Sequence, residues 1–193
     1  MDVTAEKSYL PQSLDASKYE GLQINIKGLQ GGHSGIDIHR GRGNANKMMN
    51  RLLYGLHDVE MHISSIEGGS LRNAIPREST AVIAVTTKDK GDLIIALNQR
   101  IKDIKFEYSS LEPSLAIEVN EVDAPTQVIG SQDQNLFLKA IYAAHNGVFR
   151  MSPDIDDLVE ASNNVARVEI KNGNAKVLCL TRSSVASSKM DVA

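Results

Sequence analysis

Two hydrophobic rhythms alternate along the chain and divide it into elements. Leu22, Ile24 and Ile26 recur at every second position within residues 19–29, the spacing of a strand with one buried face. From about residue 43 to 56 the apolar positions (Met48, Met49, Leu52, Leu53, Leu56) return every three or four residues. That predicts a helix of about three turns, with Asn44 as its N-cap and Gly55 loosening its end. Alternation resumes over residues 59–66 (Val59, Met61, Ile63) and in the Val-, Ile- and Thr-rich stretch 80–87. Leu93, Ile94, Leu97, Ile101, Ile104 and Tyr108 give helical spacing over residues 89–108, and residues 115–122 alternate again.

The order strand, helix, strand, strand, helix, strand is a split βαβ pattern, which predicts an α+β, ferredoxin-like βαββαβ domain. Beyond it the spacing predicts an additional helix over 132–146 and strands over 165–170 and 176–181. Asn172-Gly173 between those strands signals a C-terminal β-hairpin. Residues 1–18 are polar and aperiodic and contain Pro11; they read as a tail or linker ahead of a domain spanning 19–189. Residues 183–193 are small and polar and read as the start of a helix, with 190–193 a truncated end.

Composition narrows the function classes. Net charge is −3 and aromatic residues make up 4% with no Trp, so neither a phosphate-tracking basic face nor a base-stacking platform is present, and no nucleic acid is expected. No apolar run approaches the roughly 18 residues of a membrane span, so no membrane is expected and the cytoplasm is the expected location. The single cysteine, Cys179, lies in an alternating run and reads as a buried, inert thiol.

The chemistry-bearing residues concentrate in the glycine-rich turn between the first strand and helix. His33 sits in Gly31-Gly32-His33-Ser34-Gly35, an exposed setting in which imidazole serves either as an oxyanion donor or as a turn residue without a role. Asn73 precedes Ala74-Ile75-Pro76 and is open to substrate contact or to an Asx turn. Arg182 ends the last strand, where a guanidinium clamps a carboxylate or is simply solvated. His33 and His39, and likewise His57 and His62, lack metal-ligand spacing, and no Cys pair or H-E-x-x-H occurs; no metal site is expected within this chain.

The string GLQGGHSGIDIHRGRGNANK, with SLRNAIPRE and VLCLTRS further on, resembles the aminoacyl-histidine dipeptidases, the carnosinase-like bacterial branch of the zinc exopeptidases. The resemblance implies a lid or dimerisation domain, inserted in the parent into a zinc catalytic domain that this chain lacks. It implies that His33 polarises the scissile carbonyl in the partner subunit's site, that Asn73 and Asn164 contact substrate, and that Arg182 binds the carboxylate of a dipeptide such as β-alanyl-histidine. It further implies a homodimer, zinc held by the parent, and no hydrolysis by the isolated chain, which has no H-x-D motif. The alternative is a stand-alone ferredoxin-like module for dimerisation or small-ligand binding.

Overall fold

The computed structural model describes residues 1–56 and 59–193. In chain order the strands and helices are β1 (Asp2–Ser8), β2 (Gln12–Ser13), β3 (Tyr19–Lys27), β4 (Gly32–His33), α1 (Ala45–Tyr54), β5 (Met61–Gly68), β6 (Ala74–Ile75) and β7 (Ser79–Thr86). They continue as α2 (Lys90–Glu107), β8 (Ala116–Val122), β9 (Gln127–Val128), α3 (Ser131–Ala143), β10 (Gly147–Met151), β11 (Val159–Lys171), β12 (Asn174–Ser183) and α4 (Ala186–Val192). The result is an α+β domain built on an eight-stranded sheet, order β1-β12-β11-β5-β7-β3-β8, with β10 beside β11. Every pairing in that sheet is antiparallel.

The inward positions of β3 (Leu22, Ile24, Ile26) and β7 (Ala81, Ile83, Val85) are buried, as period-two alternation requires. Against them lie Met49, Leu52 and Leu53 of α1 and Leu93, Leu97 and Ile104 of α2, all in one continuous core. Asn44 caps α1 as its sequence position predicts; its side-chain oxygen accepts from the N–H groups of Asn46 and Lys47. Asn172 and Gly173 both hold positive φ (51° and 80°), the type I′ geometry that turns β11 into β12. The hairpin does not stand apart. Through Val168, Glu169 and Ile170 it pairs with β5 and extends the same sheet.

Residues 1–18 are not a tail. β1 pairs with β12 from Asp2↔Leu180 to Ser8↔Asn174, β2 pairs with β9, and Tyr9 is buried edge-on against Phe137. β1 is an edge strand with nearly every side chain exposed, so it carries no hydrophobic rhythm; its partner strand lies at the far end of the sequence. β11 begins at Val159, six residues before the alternation predicts. Its first half buries Glu160, Ser162, Asn163 and Asn164, polar residues that mask a buried strand. The additional helix ends at Ala143 rather than 146.

Candidate functional site

The glycine-rich turn is held at its base by a residue far away in sequence. Glu112, just past α2 and 2% exposed, accepts from Gln30 N (2.7 Å) through one carboxylate oxygen and from Gly43 N (2.8 Å) through the other. One buried side chain thus pins both ends of the loop that carries His33. At the tip, β4 pairs with β6 (Gly32↔Ile75, His33↔Ala74), and Ser34 N donates to the Asn73 carbonyl at 2.8 Å. The His33 turn and the Asn73 loop are therefore one hydrogen-bonded unit.

Asp37 folds the turn back on itself. Its Oδ2 accepts from His33 N at 2.8 Å, and its own N–H donates to the His33 carbonyl at 2.9 Å. Arg40 Nε stands 3.0 Å from the same carboxylate and an Arg42 nitrogen 3.8 Å away; Arg42 also donates to the Gly31 carbonyl at 2.6 Å. The His33 N–H, assisted by Arg40 and Arg42, holds the Asp37 carboxyl below its ordinary range. Gly32 permits this packing: its φ is +139°, and a Cβ there would lie 2.7 Å from Asp37 Oδ2.

The His33 ring is oriented too. Its Nδ1 accepts from Gly35 N (3.2 Å) and Ile36 N (3.1 Å). A nitrogen facing two N–H donors must present a lone pair, which puts the ring proton on Nε2. Among the described residues Nε2 has no hydrogen-bond partner, and the ring is half-buried.

Arg182, at the end of β12, lies on the other side of the turn. A Cβ at Gly35 would sit 3.2 Å from its Cδ and Nε, so the guanidinium stem rests on bare glycine backbone. Arg182 Nε is buried and has no hydrogen-bond partner among the described residues. It lines a shallow hollow of about 180 Å³ with Gly35, Glu160, Ser162 and Ser183. Glu160 does not satisfy it; that carboxylate faces Arg150 Nε (3.3 Å) and accepts from Ser188 Oγ (2.9 Å). A buried N–H donor without an acceptor costs about 1–3 kcal/mol.

The four expected site residues separate into three and one. His33, Asn73 and Arg182 flank the same turn, and the Asn73 side chain is exposed. Asn164 is completely buried, with its amide donating to Ala74 O (2.8 Å) and Arg72 O (3.4 Å) and its oxygen accepting from Asn44 (3.3 Å). It grips the carbonyls on either side of Asn73 and offers no face to a ligand. Glu112 and Asp37 were not singled out by sequence as supports of the turn. An acidic residue four positions after a histidine in a glycine turn is a detectable signal; a lone Glu after a helix is not.

Among the described residues no three His, Cys, Asp or Glu side chains gather as a metal-ligand set, so these residues do not fit a zinc centre. His39 is exposed on a short 3₁₀ turn, and His57 lies outside the described residues. Burial pushes the Cys179 thiol above its ordinary range, which leaves it a poor nucleophile. No helix among the described residues is long and apolar enough to cross a membrane.

Residues 24–110, which contain the turn, Asn73 and both helices of the core, match the family model described as the peptidase dimerisation domain. Those residues, just under half of the chain, are homologous to that domain. It is 38% identical over 173 residues to cytosol non-specific dipeptidase of Escherichia coli (strain K12), an alignment covering 89% of this chain and 36% of that protein. It superimposes on the crystal structure of aminoacylhistidine dipeptidase from Vibrio alginolyticus with a TM-score of 0.95 at 35% identity, covering 99% of this chain and 39% of that one. The chain thus corresponds to a fragment, well under half, of each dipeptidase, and that fragment contains the dimerisation domain.

Proposed function

We propose that this chain is the dimerising lid of a zinc dipeptidase that cleaves Xaa-His dipeptides such as β-alanyl-histidine. The ferredoxin-like unit β3-α1-β5-β7-α2-β8 forms its frame, and the strands on the β5 side carry the carboxylate reader. His33 Nε2–H donates to the oxygen of the scissile carbonyl as charge develops there. The exposed Asn73 amide adds a substrate contact, and Arg182 clamps the free carboxylate. Asn164 acts through the Asn73 loop as a positioning residue. Zinc, held by parts of the dipeptidase outside this chain, supplies the Lewis acidity.

One observation carries this reading: the stem of Arg182 rests on Gly35 of the His33 turn, and its buried Nε lacks an acceptor among the described residues. A module meant only for assembly has no need of an unsatisfied guanidinium beside an oriented imidazole. The homodimer and the cytoplasmic location belong to the same proposal, supported by the family's description and by the relative's name. The test is hydrolysis of β-alanyl-histidine with zinc added, for this chain and for the chain joined to its parent's flanking sequence. Activity confined to the longer protein and lost in His33→Ala and Arg182→Ala is the expected result. Activity indifferent to both substitutions would overturn it.

A further inference from the structure

The lid reading asks His33 to donate from Nε2, and the turn contains a device that would enforce that state. Residues 33–37 close into a ring: Asp37 N–H meets the His33 carbonyl, and Asp37 Oδ2 meets the His33 N–H. Closing the ring swings Gly35 N and Ile36 N onto Nδ1. Without the ring those two N–H groups would have no reason to converge on one ring nitrogen, and either imidazole nitrogen could carry the proton.

We propose that Asp37 is the positioning residue for His33, fixing the imidazole as a neutral donor through Nε2. The neighbours fit this role. The His33 N–H, with Arg40 and Arg42, keeps Asp37 ionised and therefore acceptor-only, and Arg42 also fastens Gly31 at the entrance of the turn. Asp37 touches no substrate in this scheme. The catalytic use of the donor rests on the lid reading, whereas the tautomer is a property of this chain alone.

Long-range ¹H–¹⁵N NMR of the labelled chain at about pH 8, above the ordinary histidine range, tests it. The wild-type chain is expected to show an imine-type shift at His33 Nδ1 and an amine-type shift at Nε2. Asp37→Ala is expected to average the two. In the milder Asp37→Asn, the His33 amide is expected to exchange with solvent at least about ten-fold faster, since a charge-assisted bond becomes a neutral one. A wild-type ring protonated on Nδ1, an Asp37→Ala chain with the wild-type tautomer, or unchanged His33 amide exchange in Asp37→Asn would each overturn the proposal. A parent without dipeptidase activity would instead overturn the lid reading and leave these spectra as they are.

Discussion

At the scale of single residues, Arg182 and Asp37 show how one charge acquires meaning from its surroundings. Arg182 reads as an ordinary strand-end cation until its bare contact with Gly35 and its unsatisfied Nε are seen. If it clamps a carboxylate, Lys cannot replace it, because an ammonium lacks the planar fork. Arg182→Lys in the full-length dipeptidase is therefore expected to raise KM by about ten-fold or more, read by steady-state hydrolysis of β-alanyl-histidine. Asp37 makes a pH prediction with a definite sign. Its carboxyl lies below its ordinary value of 3.8 in the folded chain, so its contribution is present above that value and lost as pH falls through the lower, folded one. The difference in melting temperature between wild type and Asp37→Asn should stay constant above about pH 5 and shrink steadily below pH 4. A difference that grew on acidification would contradict the assignment.

At the scale of elements, long-range polar ties decide where loops and helix ends lie. Glu112→Ala removes the acceptor of two N–H groups at the base of the turn, and about 2–4 kcal/mol of stability should go with it, measured by urea unfolding. Lys47 does comparable work for α3: its Nζ donates to the carbonyls of Ile141 (2.7 Å), Tyr142 (2.9 Å) and Ala144 (2.8 Å), closing the helix C-terminus from α1. Lys47→Met keeps the aliphatic stem and removes those donors, and should cost about 2 kcal/mol. These ties also explain what the sequence could and could not reveal. β3, β7, α1 and α2 are legible because each has one wet face and one dry face, so burial writes a period into the residues. β11 hides because Ser162, Asn163 and Asn164 are polar and buried together, with Asn163 bonded to Thr181 and the His145 carbonyl and Asn164 bonded to Asn44. At the site, the cluster of His33 and glycines was visible as a motif and Asn73 and Arg182 through family resemblance. Asn164 was expected as a substrate contact through the same resemblance; its burial was not legible, because a sequence does not record which face of a strand its neighbours cover.

At the scale of the molecule, the sheet is wider than the split βαβ pattern requires. β11 pairs along the end of the edge that β5 would present, at Ile66, Glu67 and Gly68, which leaves less of that strand for self-association. Among the described residues the strands with one unpaired edge are β1, β8 and the short β10. On the proposed reading, sedimentation velocity of this chain at micromolar concentration should give a dimer, and a monomer at all concentrations would count against it. β1 is built to remain an edge: Asp2, Glu6 and Lys7 are exposed along it, and Asp2 and Glu6 pair with Arg72 and Lys176. Deleting residues 1–8 should lower the melting temperature by several degrees and promote aggregation through the uncovered β12, read by light scattering during a thermal ramp.

The pairing of β1 with β12 also sets an order in time. Synthesis runs from N- to C-terminus, so residues 2–8 are made well before residues 174–180, their ladder partner among the described residues. At about 5–20 residues per second, β1 waits roughly 10–35 s for that partner to emerge. A waiting strand of Val and Ile would seek other chains; one reading DVTAEKS stays hydrated. The polarity that hides β1 from a search for hydrophobic rhythm is thus what lets it survive as the last piece of the sheet to be laid down.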